Sequence, residues 1–317
     1  MRRSLLGDTD VYRDLHAAIA KILLAIDLAG EQFSHNSSLL PPLVSSRHFL
    51  MPPPPNAAEC GAGPKTIVLL HGFGSCQAIW CEVAASLASS MKVLAYDLPG
   101  HGHSMQCEGM GGAKPAARAI LADLAARGLD RIHLVGHSMG GAIATLMALA
   151  DPGRIATLTL LAPGGFGSEI NAPLLRRYAA ATGKRELRAC LAAMSGSQSV
   201  PPDHVVDALC RMRKRPGQQQ ILVDMAAAMT KDDHQGVIPG ERLETLEMPV
   251  IVVWGAEDPL LPVSQAEALP AHFHLHHVLD AGHMLVEEAP DLIAEIVRRN
   301  TRRRRRRQRH VLGAAAS

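Results

Sequence analysis

Short runs of consecutive apolar residues alternate along the chain with longer segments of helical periodicity. We interpret the short runs as β-strands covered on both faces, because their apolar residues are contiguous and do not alternate with polar ones. Strands are predicted at residues 66–70, 93–96, 132–135, 157–161, 250–254 and 274–279. Helices are predicted at about 77–90, 115–127, 139–150 and 289–299. This alternation predicts an α/β fold with a mostly parallel central sheet flanked by helices.

One stretch, residues 166–241, interrupts the alternation. It has a helical pattern and lies between two predicted strands, so we expect a helical insertion, called the cap, at about 165–243. An insertion at this point lies over the carboxyl edge of the sheet, where open α/β sheets place their binding sites. Before the first strand, residues 52–64 are rich in Pro and Gly and predict an extended connection. The main strand material upstream is at residues 44–51.

The chain is therefore expected to have three parts: an N-terminal helix and Pro-rich linker at 1–63, an α/β domain at 64–300, and a disordered arginine-rich tail at 301–317. In the first part, Lys21 and Asp27 interrupt the apolar stretch 15–28. This stretch predicts an amphipathic helix that docks on the main domain or, as the less common case, on a partner, and it predicts neither a membrane span nor a secretory signal.

Composition narrows the class of protein further. The formal net charge of +2 includes seven arginines at 302–307 and 309, so the rest of the chain carries about five net negative charges. A specific nucleic-acid partner is therefore not expected. The six cysteines form no C-x-x-C pair. A reducing compartment, and hence a cytoplasmic location, is the simplest interpretation.

The most informative motif is the segment Gly136-His137-Ser138-Met139-Gly140, which follows the strand at 132–135 and precedes an Ala-rich helix. A serine on a tight strand-to-helix turn is typical of a nucleophile elbow, which exposes the hydroxyl at the positive end of the helix. The glycines on both sides leave room for such a turn. The alternative is a glycine-rich turn in which the serine only caps the helix.

A serine nucleophile needs a base, and the base needs an orienting carboxylate. His283 follows the predicted strand at 274–279 and precedes the last helix, so it is the candidate base. Asp258 follows the strand at 250–254 and is the candidate acid. Its neighbour Glu257 must point in a different direction, so only one of the two can face the histidine.

The segment His71-Gly72-Phe73-Gly74 directly follows the strand at 66–70. Its glycines permit close approach of the backbone to a substrate oxygen, so we expect an oxyanion hole formed by the backbone N–H groups of Phe73 and Met139. His71 is expected to hold this loop. The proposed chemistry needs no metal and no cofactor, and none is expected.

These motifs, together with the segments Tyr96–Ser104, Trp254–Asp258 and Ala281–Met284, resemble the α/β-hydrolase fold superfamily over about residues 64–300. The resemblance implies Ser138 as nucleophile, Asp258 as acid and His283 as base, in the chain order that this fold uses. It also implies Phe73 and Met139 as oxyanion donors. Members of this superfamily usually have two strands before the one at 66–70, so we expect a reduced or irregular first edge of the sheet here.

The segment 161–171 resembles the hydrolase-like domain of the acyltransferase component of the acetoin dehydrogenase complex. That component carries a lipoyl domain, for which residues 1–63 are too few. This chain also has neither an Asp-Lys-Ala lipoylation site nor the His-x-x-x-Asp-Gly motif of dihydrolipoamide acyltransferases.

The sequence thus predicts a serine hydrolase that cleaves a small-molecule ester or thioester through an acyl-enzyme. An acyltransferase and a non-catalytic, partner-binding protein are the alternatives, and the oligomeric state is left open.

Two features of the cap bear on substrate choice. Its methionines could line an acyl pocket but more often pack in a core. The basic cluster at 211–215 could attract an anionic substrate, although a solvated helix face is the more common explanation. The methionines are Met194, Met212, Met225 and Met229, and the basic residues are Arg211, Arg213, Lys214 and Arg215.

Overall fold

The computed structural model describes residues 52–303. A seven-stranded sheet has the spatial order β1-β3-β2-β4-β5-β6-β7. The strands are β1 (Ala57–Cys60), β2 (Thr66–Leu70), β3 (Lys92–Tyr96), β4 (Ile132–His137), β5 (Ile155–Leu161), β6 (Val250–Gly255) and β7 (His274–Val278). All neighbouring strands are parallel except β1 and β3, which are antiparallel. The predicted α/β fold with a mostly parallel sheet is confirmed.

The first edge of the sheet differs from the expectation. Strand β1 lies in the segment predicted to be an extended connection, and it pairs with β3 from Ala57 opposite Tyr96 to Cys60 opposite Val93. Three of the predicted segments lie outside the described residues: the strand material at 44–51, the helix at 15–28 and residues 304–317 of the tail. The connection thus contributes a strand through backbone pairing, although its residues carry no strand-like apolar pattern.

Helices cover the sheet and link its strands. They are α1 (Cys81–Ala88), α2 (Ala113–Ala126), α3 (Met139–Ala150), α4 (Ala172–Ala180), α5 (Lys184–Met194), α6 (Asp203–Arg213), α7 (Gln218–Met229), α8 (Gly240–Leu243), α9 (Leu285–Glu288) and α10 (Pro290–Asn300). Short 3₁₀ helices lie at Gln77–Trp80, Gly102–Ser104, Lys231–Asp233 and Val263–Ala268. The helix predicted at 77–90 is therefore a 3₁₀ turn followed by α1. Helices α4 to α8 all fall in the cap, between β5 and β6.

Burial follows the apolar runs in the centre of the sheet. Every residue of β2, β4, β5 and β6 is buried. The prediction that all strands are covered on both faces is wrong for β7, an edge strand in which His274 to His277 are exposed.

The end of α10 is hydrogen-bonded to the centre of the sheet, because the Asn300 side-chain amide donates to the Leu158 carbonyl at 2.9 Å. No helix among residues 52–303 has both the length and the apolar character needed to cross a membrane.

Candidate active site

Ser138 is the single residue between β4 and α3, and its backbone lies in the left-handed region with φ 52° and ψ −118°. Such a conformation is strained for a residue with a side chain and is frequent at functional turns. The glycines around it permit the turn. A Cβ added to Gly136 would lie 2.3 Å from the Gly140 carbonyl oxygen, and one added to Gly140 would lie 2.4 Å from the Leu70 carbonyl oxygen. A side chain at position 136 would therefore push the start of α3 away from β4, and one at position 140 would push it away from the end of β2.

The hydroxyl of Ser138 lies 2.9 Å from Nε2 of His283, and Nδ1 of His283 lies 2.8 Å from Oδ2 of Asp258. The imidazole thus donates from Nδ1 to the carboxylate and accepts the serine O–H at Nε2. The side chains of His283 and Asp258 are only 2% and 0% exposed. Burial keeps this chain of hydrogen bonds away from competing water, and the structure brings together the three residues that the sequence singled out.

Asp258, and not Glu257, faces the histidine. The second oxygen of Asp258, Oδ1, accepts the backbone N–H groups of Leu260 and Leu261, both at 2.9 Å. These bonds fix the carboxylate in place while Oδ2 remains directed at His283. Glu257 instead accepts the backbone N–H of Ser197 at 2.6 Å.

The loop after β2 packs directly against the elbow. A Cβ added to Gly72 would lie 3.2 Å from Cβ of Ser138 and 3.0 Å from Nδ1 of His137. His71 holds this loop as expected: its Nδ1–H donates to the Gly72 carbonyl at 2.7 Å, and its Nε2 accepts the Leu98 N–H at 3.0 Å. Burial is the main cause that lowers the pKa of His71, which favours the neutral ring that these two bonds require.

Two cap residues, whose contacts here the sequence did not predict, hold the end of the same loop at Gly74. The Gly74 carbonyl accepts a hydrogen bond from Nη1 of Arg213 at 2.8 Å and another from the Tyr178 hydroxyl at 3.0 Å. The Arg213 guanidinium also stacks 4.6 Å from the centre of the Tyr178 ring. Arg213 is 5% exposed, so the solvated-face interpretation of the basic cluster is wrong for this residue. The Gly74 N–H donates to Nε2 of His101 at 3.0 Å.

His137, next to the serine, is hydrogen-bonded to the backbone of the candidate base and packs against its ring. Its Nε2–H donates to the backbone carbonyl of His283 at 2.8 Å, and the centres of the two rings are 5.0 Å apart. Burial, with a further contribution from His283, lowers the pKa of His137 to about 3. His137 therefore stays neutral at physiological pH and adds no charge beside His283.

A narrow cavity of about 20 Å³ opens above the Ser138 hydroxyl. This is room for little more than one water molecule. Its lining combines the two glycine-loop residues nearest the serine with apolar side chains from the cap. The lining residues are Gly72, Phe73, Ser75, His137, Ser138, Leu175, Tyr178, Met194, Leu260, His283 and Met284. Of the four cap methionines, Met194 alone lines this cavity.

Comparison with known proteins agrees with the fold and with these motifs. Residues 67–296 match the sequence profile of the alpha/beta hydrolase family, so the chain belongs to this family. The dihydrolipoyllysine-residue acetyltransferase component of the acetoin cleaving system of Cupriavidus necator is 31% identical over 238 residues. The match covers 75% of this chain but only 64% of that protein, less than two thirds of its length. The resemblance predicted from the motifs is thus confirmed.

Two further similar proteins are named as hydrolases. A 2-hydroxy-6-oxononadienedioate/2-hydroxy-6-oxononatrienedioate hydrolase of Dechloromonas aromatica is 28% identical and covers 65% of this chain and 74% of its own. The crystal structure of a meta-cleavage product hydrolase from Pseudomonas fluorescens superposes with a TM-score of 0.69 at 21% identity. That match covers 78% of this chain and 94% of the other, and at this identity it establishes the fold.

Proposed function

We propose that this protein is a serine hydrolase that cleaves an ester or thioester of a short acyl group through an acyl-enzyme. The observation that carries the proposal is the unbroken chain of hydrogen bonds from the Ser138 hydroxyl through His283 to Asp258. A serine hydroxyl in contact with a neutral imidazole, itself oriented by a carboxylate, is the arrangement that acyl transfer requires.

In the proposed reaction, His283 Nε2 takes the proton of Ser138 as the oxygen attacks the substrate carbonyl carbon. The oxygen of the tetrahedral intermediate is placed towards the backbone N–H groups of Phe73 and Met139, which would stabilise its negative charge. The protonated His283 then delivers the proton to the leaving alcohol or thiol, leaving an acyl group on Ser138. Water, activated by the same imidazole, releases the acid and restores the enzyme.

The size of the cavity supports a small acyl group. The cavity beside the serine measures only about 20 Å³, and Met194 and Leu260 are among the residues that line it. Leu175 and Met284 complete an apolar wall that suits an aliphatic group such as acetyl or propionyl. We therefore expect turnover to fall steeply with acyl chain length.

Acyl transfer to a thiol or alcohol is a second candidate function, favoured by the 31% identity to the acetyltransferase component named above. The acyl-enzyme would be the same in both reactions, and only the acceptor would differ. Acid release from a short acyl ester, measured with and without a small thiol, separates the two. A transferase gives acyl thioester at the expense of free acid, whereas a hydrolase gives acid in both cases.

The decisive test is hydrolysis of p-nitrophenyl acetate and labelling by a fluorophosphonate, measured on the wild type and on Ser138→Ala. We expect labelling of the wild type alone and a loss of turnover of at least 10³-fold in the variant, as for other serine nucleophiles. Ser75→Ala is the matched control, because this hydroxyl also lines the cavity and is bonded to no described residue. Equal labelling of Ser138→Ala would refute the assignment. Absence of turnover and of labelling in the wild type would favour a non-catalytic binding protein.

A further inference from the structure

The carboxylate of Glu288 accepts hydrogen bonds from both backbone N–H groups that flank His283. Glu288 is the last residue of α9. Its Oε1 accepts the N–H of Met284 at 2.9 Å, and its Oε2 accepts the N–H of Gly282 at 3.0 Å. Anchors on both sides of one residue restrict the position of its Cα, and hence the reach of its imidazole towards Ser138.

The same carboxylate also binds the cap. Oε2 of Glu288 accepts the backbone N–H of Gly196 and the Ser199 hydroxyl, both at 2.8 Å. These two residues belong to the segment that follows α5, called here the cap turn, residues 195–199. The N–H of His283 itself donates to the carbonyl of Met194, the last residue of α5, at 2.7 Å. The cap and the histidine loop are therefore joined at several points.

The two backbones approach too closely for side chains to intervene. A Cβ added to Gly282 would lie 2.4 Å from the carbonyl carbon of Ser195, and one added to Gly196 would lie 2.6 Å from the carbonyl oxygen of Asp280. On the other side, the Ser197 N–H donates to Glu257, the neighbour of the candidate acid. The cap turn thus contacts both loops that carry the partners of Ser138.

An ionised carboxylate is well suited to this position. It has about four acceptor sites and no donor, and it faces four donors here. An amide of the same shape offers one acceptor oxygen and turns its NH₂ group towards N–H donors. The neighbouring Glu287 provides a contrast, because neither of its carboxylate oxygens has a hydrogen-bond partner among residues 52–303.

We propose that Glu288 is a positioning residue for His283 and that it ties the placement of the imidazole to that of the cap turn. This inference rests on the proposed role of His283 as general base. Glu288 does not line the cavity at Ser138, so it acts through His283 and not on the substrate. Without its anchors the histidine loop is free to shift, and the 2.9 Å contact between Nε2 and the Ser138 hydroxyl lengthens.

The test compares Glu288→Ala and Glu288→Gln with the wild type and with Glu287→Gln, a matched control on the same helix. Steady-state hydrolysis of p-nitrophenyl acetate and the rate of fluorophosphonate labelling are measured from pH 6 to pH 10, and melting temperatures are recorded. We expect kcat to fall by about 10- to 100-fold in Glu288→Ala and by less in Glu288→Gln, because misplacement by about 1 Å has costs of this size. KM and the activity of Glu287→Gln should stay within about twofold of the wild type.

The pH profile separates positioning from a general loss of structure. When the imidazole no longer reaches Ser138, hydroxide can replace it as the base, so the ratio of wild-type kcat to Glu288→Ala kcat should shrink as the pH rises. A ratio that is the same at every pH, in a variant whose melting temperature is lowered, would overturn the proposal. So would full activity in both Glu288 variants while Ser138→Ala and His283→Ala are inactive. If Glu288→Ala does not fold, the kcat and pH profile of Glu288→Gln decide. Activity that survives in His283→Ala would refute the proposed function itself, and this inference with it.

Discussion

Replacing Glu287 with glutamine is expected to stabilise the protein at neutral and mildly alkaline pH. Glu287 lies in α9, and both oxygens of its carboxylate are buried without a hydrogen-bond partner among the described residues. Its pKa is raised from 4.5 to about 8, mainly by burial; its own backbone N–H acts less strongly in the opposite direction, and the negative charges of Glu288 and Glu82 add to the rise. The group is therefore protonated in the folded protein at pH 7, whereas it ionises freely in the unfolded chain.

The sign and size of the effect follow from this difference in pKa. Between about pH 4.5 and pH 8 the folded state holds one more proton than the unfolded state, so the free energy of unfolding falls as the pH rises. Each unit of pH in this interval costs up to about 1.4 kcal/mol. Between pH 4.5 and pH 8 the free energy of unfolding is expected to fall by a total on the order of 3 kcal/mol, a value that allows for partial relaxation of the buried site. Glutamine has the shape of the protonated acid and does not titrate, so it should remove this decline.

Thermal unfolding of the wild type and of Glu287→Gln, followed by circular dichroism from pH 4.5 to pH 8.5, measures the effect. The two melting temperatures should coincide near pH 4.5 and should differ by about 5–10 °C at pH 8, with the variant the more stable. Glu295→Gln is the matched control, since this residue lies on α10 with an exposed side chain and should change the melting temperature little at any pH. A difference that is independent of pH, or a variant that is less stable at pH 8, would refute the reasoning.

Two further predictions concern the loop after β2 and the cavity. Arg213→Met keeps most of the side-chain volume but removes the hydrogen bond to the Gly74 carbonyl, so we expect kcat for p-nitrophenyl acetate to fall about tenfold, because the loop that carries the proposed oxyanion donor Phe73 is displaced. Steady-state kinetics that show a change in KM alone would contradict this, and Tyr178→Phe, which removes one hydrogen bond from the same carbonyl, should show a smaller loss. Met194→Ala enlarges the cavity above Ser138, so its activity on a panel of p-nitrophenyl esters should shift towards longer acyl chains. An unchanged chain-length preference would show that Met194 does not limit the acyl group.

The apolar runs predicted the centre of the sheet because strands buried on both faces must be built from contiguous apolar residues. They could not predict β1, whose sequence Ala-Ala-Glu-Cys has no apolar pattern and whose strand conformation comes from pairing with β3. Strand β7 is largely exposed, and no further strand among residues 52–303 pairs with it. Whether a strand has a neighbour on one side or on both is not recorded in its local sequence pattern.

The candidate site was predictable where chemistry and chain position coincide. Ser138, Asp258 and His283 each follow a strand, and parallel strands bring their carboxyl ends to one edge of the sheet. Arg213 and Glu288 were not predictable in this way. Arg213 contacts a carbonyl 139 residues away, and Glu288 contacts an N–H group 92 residues away, so their roles depend on how the cap folds back on the sheet. A basic residue in a run of basic residues carries no local sign that it is buried.

The cap contacts two loops, the one after β2 and the one that carries His283, and this has a consequence for chimeras built from related proteins. The helices from α4 to α8 occupy one continuous segment between two strands, which invites their exchange as a cassette to change substrate choice. In this protein such a cassette also carries the Arg213 contact to Gly74 and the Gly196 contact to Glu288. A chimera that receives a foreign cap would therefore inherit a new pocket, while the loop after β2 and the loop that carries His283 would be held less firmly. Grafts that retain these two contacts should preserve turnover better than grafts chosen by the lining of the pocket alone.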